Sequence, residues 1–327
     1  MEDQYLPWIE KYRPKKLSEV TSHDNIVKSL KNMIKNGSLP HLLFHGKSGT
    51  GKTSTIITLA KKLYGKKFKL MVLTLDASDD RGINAVREEI KGFAEKSHMF
   101  HKGIKLIILD EADAMTWDAQ FALRRTIEKY SDNTRFCLIC NYENKIIKPI
   151  RSRCANFHFS PIPEKNNFDI LKKIIKNENI KINMKGIKTI SKIGRGDLRK
   201  SINLLQSISM KLDQVKKIDE NICYQVAGIP TPNEINEMVK KLIDDDVGYD
   251  DAYSYVKELI GSNGYSLSIL LAELVDRIYS IKDKLEIDYL CYIFDKLSDL
   301  ENRVAQSTFG DIYYAALVGI FKTNNKN

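Results

Sequence analysis

No apolar run in this sequence approaches the ~20 residues that a membrane-crossing helix needs, and the chain does not open on the basic and apolar segments of a secretory leader. Its five cysteines are odd in number, and with no leader before them they point to a reduced cytosolic or nuclear compartment without a disulfide framework. Cys137 and Cys140 have C-x-x-C spacing, but they lie in the apolar run 136–140, where a strand directs them to opposite faces. No second ligand pair follows, so a zinc site is not expected. Internal repeats and low-complexity segments are also missing.

What is present is apolar material and basic charge. With 43% hydrophobic residues over 327 positions, there is enough to fill two or three cores, and disorder is not the default. Fifty-two Lys and Arg against 42 Asp and Glu leave a formal charge of +10. Its distribution is uneven: residues 1–228 carry 42 basic and 25 acidic side chains, residues 229–327 carry 10 and 17. The first two thirds are therefore suited to face phosphates, or else to present a lysine-rich solvated surface; the last third does something else.

Between residues 40 and 160 short apolar runs alternate with longer amphipathic stretches, the pattern of a parallel sheet covered by helices on both faces. Strands are predicted at 41–45, 70–75, 105–109, 135–140 and 156–159, making a doubly wound nucleotide-binding domain over 1–161. Pro161 and Pro163 then interrupt the chain, and 162–228 reads as a small helical lid. A second break, Gly228-Ile229-Pro230-Thr231-Pro232-Asn233, places Asn233 to cap the next helix and opens an all-helical third domain, 229–327. Its apolar residues Leu267, Leu270, Leu271, Leu274 and Ile278 recur at three- and four-residue spacing, which serves a core, while an oligomerisation role is equally open.

Gly46-Lys47-Ser48-Gly49-Thr50-Gly51-Lys52-Thr53 fits the phosphate-binding loop pattern, directly after a predicted strand and before a helical run that begins at Ser54. Glycines let backbone N–H groups turn inward around phosphates, Lys52 can bridge the outer two, and Thr53 offers a hydroxyl to Mg2+. Downstream, Asp110-Glu111-Ala112-Asp113 ends an apolar strand where the sheet's carboxyl edge meets those phosphates. Asp110 is placed to hold Mg2+ through water and Glu111 to polarise the attacking water, so the pattern is one of hydrolysis as well as binding. The next strand ends in Asn141, which either orients the same water or shapes a strand-to-loop turn. Asp110-Glu111-Ala112-Asp113 also spells a helicase signature, but such helicases carry two similar motor domains, and here a helical region follows the first.

These motifs form a complete AAA+ pattern over residues 5 to about 206. The stretch Leu6-Pro7-Trp8-Ile9-Glu10-Lys11-Tyr12-Arg13-Pro14, with Ala77-Ser78-Asp79-Asp80-Arg81-Gly82-Ile83 and Ser152-Arg153-Cys154, closely resembles the small subunits of replication factor C. The run 105–130, holding Ala122-Leu123-Arg124-Arg125, and Asn133-Thr134-Arg135-Phe136-Cys137 are most similar to the subunit numbered three or five. The resemblance covers essentially the whole chain. It implies a clamp-loader ATPase using ATP and Mg2+ in a nuclear hetero-pentamer joined through its third domains, with primer-template DNA inside the spiral and the sliding clamp PCNA as partner. It further implies that Ile9, Arg13 and Val20 line the adenine side, that Asn141 is a first sensor and Arg199 a second, and that Arg153 is an arginine finger reaching a neighbour's site. Ser48, Gly49, Thr50, Gly51 and Ser54 complete the nucleotide contacts. Arg81, Arg87 and Lys145 are the candidates for DNA backbone phosphates, and clamp contact is expected near 99–102 and on the helix around 119–123. One departure stands out: the family usually has two prolines where this chain has Lys47 and Ser48, which relaxes the loop without removing a phosphate ligand.

Overall fold

A computed structural model describes residues 6–77, 82–95, 103–210, 218–306 and 310–323, with the backbone alone for 82–87. The helices are α1 (Trp8–Lys11), α2 (Asp24–Lys35), α3 (Lys52–Tyr64), α4 (Phe68–Met71), α5 (Gly82–Glu95), α6 (Trp117–Tyr130), α7 (Lys148–Arg151), α8 (Glu164–Asn177), α9 (Met184–Gly194), α10 (Leu198–Ser209), α11 (Glu220–Ala227), α12 (Pro232–Ile243), α13 (Tyr249–Asn263), α14 (Leu267–Ser280), α15 (Ile287–Gln306) and α16 (Gly310–Lys322). The strands are β1 (His41–His45), β2 (Val72–Asp76), β3 (Lys105–Asp110), β4 (Thr134–Cys140) and β5 (Cys154–His158). The chain divides into two compact units, Met1–Ile180 with Ile190–Gln206, and Lys181–Thr189 with Ser207–Asn327.

In the first unit all five strands pair in parallel, in the order β2-β3-β4-β1-β5. Parallel strands buried on both faces need apolar side chains pointing both ways, and the two faces separate cleanly. Leu42, Phe44, Leu106, Ile108, Cys137 and Ile139 pack with Val27 and Leu30 of α2 and with Ile56 and Leu59 of α3. Leu43, Ile107, Leu109, Phe136, Leu138 and Cys140 pack with Leu123 and Ile127 of α6 and Ile150 of α7. Cys137 and Cys140 thus lie on opposite faces, both buried, as strand alternation requires.

The strand order matters for function. It sets β1 beside β4 and β4 beside β3, so that the loop after β1, the residue after β4 and the last residue of β3 open at one edge of the sheet. Two strand starts differ by two residues from the sequence reading, and the remaining boundaries by at most one. β2 begins at Val72 and not at Leu70, because Phe68–Met71 forms a helical turn that leaves Leu70 52% exposed. β5 begins at Cys154, two residues before the predicted start, because His41 and Leu42 of β1 recruit Cys154 and Ala155 into the ladder.

The second unit buries the predicted apolar stripe. Leu267, Leu270, Leu271, Leu274 and Ile278 all enter one core with Met238, Leu242, Val256, Ile293, Leu297, Leu317 and Phe321 from the other helices of α12–α16. Each such side chain contributes about 1.5–3 kcal/mol on leaving water, so this core is ample for five helices. Its first helix is capped by Thr231, not by Asn233. The Thr231 hydroxyl accepts from Glu234 N, the Glu234 carboxylate accepts from Thr231 N at 2.7 Å, and Pro232 fills the first turn, where no N–H is needed. Among the described residues no helix is long and apolar enough to cross a membrane.

Candidate active site

Residues 46–51 leave β1 and turn back into α3, and two glycines show why this loop tolerates no bulk. Gly46 has φ +143°, and a Cβ there would lie 2.1 Å from the Phe159 carbonyl oxygen. Gly49 has φ +68°, and its Cβ would fall 1.7 Å from Asp197 Oδ1. Both positions therefore need glycine for conformation and for space. Behind the loop, buried His23 donates from Nε2 to the Thr50 carbonyl at 3.0 Å, and Thr50 Oγ1 donates to the Lys47 carbonyl at 2.9 Å.

Lys52 is 7% exposed, and its three ammonium hydrogens meet three oxygens: Gly46 O at 2.6 Å, Lys47 O at 2.9 Å and Asn141 Oδ1 at 3.0 Å. Burial lowers its pKa from the ordinary lysine value, with Asp110 opposing that shift. Next to it, Thr53 Oγ1 donates to Asp110 Oδ2 at 2.7 Å, while Asp110 Oδ1 accepts from Glu111 N at 3.0 Å. Glu111 itself has φ +54°, an unusual backbone for a non-glycine residue, and it turns out of β3 into the cleft mouth. Asp113, two residues on, accepts from Asn141 N and Tyr142 N, both at 3.1 Å, and so fastens the end of β4 to the end of β3.

One cleft gathers Ile9, Arg13, Val20, Ser48, Gly49, Thr50, Gly51, Lys52, Thr53, Ser54, Asp110, Glu111, Asn141 and Arg199. Gly46 joins through its carbonyl, not as lining. Arg13 Nε donates to Ser54 Oγ at 3.4 Å and its guanidinium pairs with Glu10 at 3.1 Å. Arg153 lies outside the cleft: it pairs with Glu128 of α6 at 2.6 Å and donates to the Pro149 carbonyl at 2.7 Å. Lys145 is also elsewhere, exposed, with its ammonium 5.2 Å from the Tyr142 ring centre. Arg81, the Arg87 side chain and 99–102 lie outside the described residues. On α6, Ala119 and Leu123 are buried, whereas Trp117 and Phe121 are 63% and 45% exposed, so the outward face belongs to those aromatics.

Several residues that hold this site escaped the sequence reading. Asp113 stands within the Asp110-Glu111-Ala112-Asp113 motif, but its two backbone bonds join residues 28 and 29 positions away. Gln120, fully inside α6, donates to the Met115 and Lys145 carbonyls at 3.2 and 2.9 Å and accepts from Ile147 N at 2.9 Å, bracing the loops after β3 and β4. Asp197 abuts Gly49 while accepting from Lys200 N at 3.0 Å, and Leu198 N donates to the Gly49 carbonyl at 3.3 Å. No local signal marks these contacts.

Five parallel strands, a glycine loop opening a helix, and a hydroxyl–carboxylate pair joining that helix to the end of β3, two strands away, define a P-loop ATPase of the AAA+ class, which entails a nucleotide-binding site. Family models agree: residues 42–162 match the ATPase family associated with various cellular activities, 169–210 an RCF1/5-like AAA+ ATPase lid domain, and 230–319 the replication factor C C-terminal domain. The chain belongs to the replication factor C family of clamp-loader ATPase subunits. It is 45% identical to probable replication factor C subunit 5 of Dictyostelium discoideum, over 97% of this chain and 90% of that protein. Against replication factor C subunit 5 of Homo sapiens the identity is 40%, covering 97% and 92%. Against subunit 3 of Saccharomyces cerevisiae it is 38%, covering 98% and 94%. A solved structure of the Thermotoga maritima RuvB Holliday junction branch migration motor shares the fold, with TM-score 0.54 and 19% identity over 78% of this chain and 86% of that one.

Proposed function

We propose that this chain binds ATP and Mg2+ in the cleft and hydrolyses the nucleotide as one subunit of a five-membered replication factor C assembly, which loads PCNA onto primer-template DNA in the nucleus. The observation that carries this reading is the meeting of Lys52, Thr53, Asp110 and Asn141 at three adjacent strand ends as two hydrogen-bonded pairs, Lys52 with Asn141 and Thr53 with Asp110. The donor set fits the ligands: a glycine loop backed by a buried lysine suits phosphate oxygens, and the hard oxygens of Thr53 and Asp110 suit Mg2+. Mg2+, when bound, supplies charge neutralisation on the outer phosphates. Lys52 exchanges its loop carbonyls for phosphate oxygens, Glu111 orients and polarises the attacking water, Asn141 steadies that water, and Arg199 reaches the phosphates from the start of α10.

Arg153 serves a different site. Its absence from this chain's own cleft and its partial exposure, 40%, support a role in trans, as a finger completing a neighbour's site. The chain is read as three functional parts, 1–161, 162–228 and 229–327, with the acidic last part forming the collar of the assembly. Exposed Lys145, with Arg81 and Arg87, contacts DNA backbone phosphates without reading sequence. Exposed Trp117 and Phe121 offer the clamp an apolar anchor.

The test is ATP turnover by this chain co-purified with its partner subunits, with and without primed DNA and clamp. Stimulation by both together supports the reading; turnover by the isolated chain that is robust and indifferent to DNA and clamp overturns the clamp-loading part of it.

A further inference from the structure

The cleft has two chemically different ends. Its loop and strand-end residues offer N–H groups, an ammonium and carboxylates, whereas Ile9, Val20, Ile162 and Ile202 have no hydrogen bond to give a phosphate and suit the flat apolar face of a base. Ile9 comes from α1 and Arg13 from the turn just after it. α1 has four residues, none of them buried, and a helix of that length cannot hold itself. Its position must therefore be set by bonds to other elements.

Two of those bonds converge on one carboxylate. Lys11 Nζ lies 2.6 Å from Glu178 Oε1, and the Tyr12 hydroxyl donates to the same oxygen. Trp8 N adds a bond to Gln206 Oε1 of α10 at 3.0 Å. Glu178 is the C-cap that follows α8, an unfavourable place for an acid beside the negative end of a helix, and its side chain is only 18% exposed. Burial pushes its pKa up, but the bonds from Lys11 and Tyr12 outweigh that and leave it below the usual glutamate value. Burial, reinforced by Glu178, pushes Tyr12 up to about 12. The carboxylate thus stays charged and the phenol stays a donor through the neutral range.

We infer that Glu178, which does not line the cleft, is a positioning residue for the base end of the nucleotide cleft: it ties α1 to α8 and so fixes the wall that carries Ile9 and Arg13. The inference rests on the reading of the cleft as a nucleotide site and predicts something that reading does not. Loss of Glu178 should weaken a ligand that uses the base end and spare one that uses only the phosphate end.

The experiment is calorimetric titration of the full-length chain and of Glu178→Ala, Glu178→Gln and Tyr12→Phe with MgATP and, separately, with inorganic tripolyphosphate, after far-UV circular dichroism shows equal helix content. Glu178→Ala should weaken ATP about tenfold, the size of one charge-assisted hydrogen bond, and leave tripolyphosphate within twofold. Glu178→Gln keeps an acceptor oxygen and should recover most of the loss; Tyr12→Phe should fall between. Unchanged ATP affinity in Glu178→Ala overturns the inference, and so does an equal loss for both ligands, which is the signature of general damage to the cleft. If the unaltered chain binds neither ligand, the nucleotide reading itself fails and takes the inference with it.

Discussion

Gly49→Ala tests how firmly the start of α10 is seated on the phosphate loop. At φ +68° an alanine costs about 1–2 kcal/mol relative to an ordinary backbone. Its Cβ would also stand 1.7 Å from Asp197 Oδ1 and 2.3 Å from Asp197 Cγ, so the carboxylate must leave. In leaving, Asp197 gives up the bond it accepts from Lys200 N at 3.0 Å, a helix cap worth about 1 kcal/mol. The expected loss is about 2–3 kcal/mol, which lowers a urea midpoint by roughly 1–1.5 M at a slope of about 2 kcal/mol/M. Both tryptophans, Trp8 and Trp117, lie in the first compact unit, so their fluorescence follows that unit alone. Asp197→Ala by itself should cost about 1 kcal/mol. In that background the clash and the cap are already gone, and Gly49→Ala should cost only its backbone strain. The two substitutions are thus coupled by about 1 kcal/mol; effects that add to within about 0.5 kcal/mol would refute the contact.

Glu111→Gln should retain ATP affinity and abolish steady turnover by the assembled complex; undiminished turnover would remove Glu111 from the water-activating role. Arg153→Ala should leave this chain's ATP affinity intact and slow hydrolysis at a neighbouring subunit by roughly 10³-fold or more. Since the Arg153–Glu128 pair is 40% and 37% exposed, its loss should move stability by less than about 1 kcal/mol, and a large drop in the urea midpoint would contradict that. His41 gives a pH test. Nδ1 accepts the Phe136 N–H at 3.2 Å and Nε2 lies 3.2 Å from Ser131 Oγ, so the ring is neutral, and burial followed by Arg135 lowers its pKa from 6.5 to about 4. With the folded pKa below the unfolded one, its contribution is complete above pH 6.5 and lost as pH falls toward 4, by at most about 1.4 kcal/mol per pH unit. Tryptophan-monitored urea midpoints of the native chain should fall more steeply than those of His41→Gln across that range, and parallel curves would refute the assignment.

What the sequence made legible depends on short-range pattern. Runs of four to six largely apolar residues mark the strands, most clearly β1, β3 and β4, since a parallel strand buried on both faces has no polar face to show, and each predicted run corresponds to a strand. The glycine loop is legible because its residues are contiguous, and so is Asp110-Glu111 at the end of its strand. Even the local rule failed where two cap candidates competed: Asn233 lost to Thr231 because Glu234 stands three residues after the threonine and completes a reciprocal pair.

The residues that brace the site were not legible for a physical reason. Gln120 meets backbone groups at 115, 145 and 147; Asp113 meets 141 and 142; Glu178 meets side chains 166 and 167 positions away. Their partners are backbone groups or long polar side chains that every stretch of sequence contains, and only the fold selects which of them comes within hydrogen-bonding distance. Such residues leave no periodicity, since each satisfies two or three polar groups and not a face. Asp197 shows the consequence most directly. It is two residues from Arg199, so a reading by motif assigns the arginine a role toward phosphate and treats the aspartate as spacing. Its carboxylate packs on Gly49 and Leu198 N bonds the Gly49 carbonyl at 3.3 Å, so these two contacts seat the start of α10, which carries Arg199, against the loop. The charged group that would act on phosphate is therefore legible from its type, while the seat of its helix on the loop is built in part by a neighbour whose own chemistry is only to accept a hydrogen bond and fill space against a glycine.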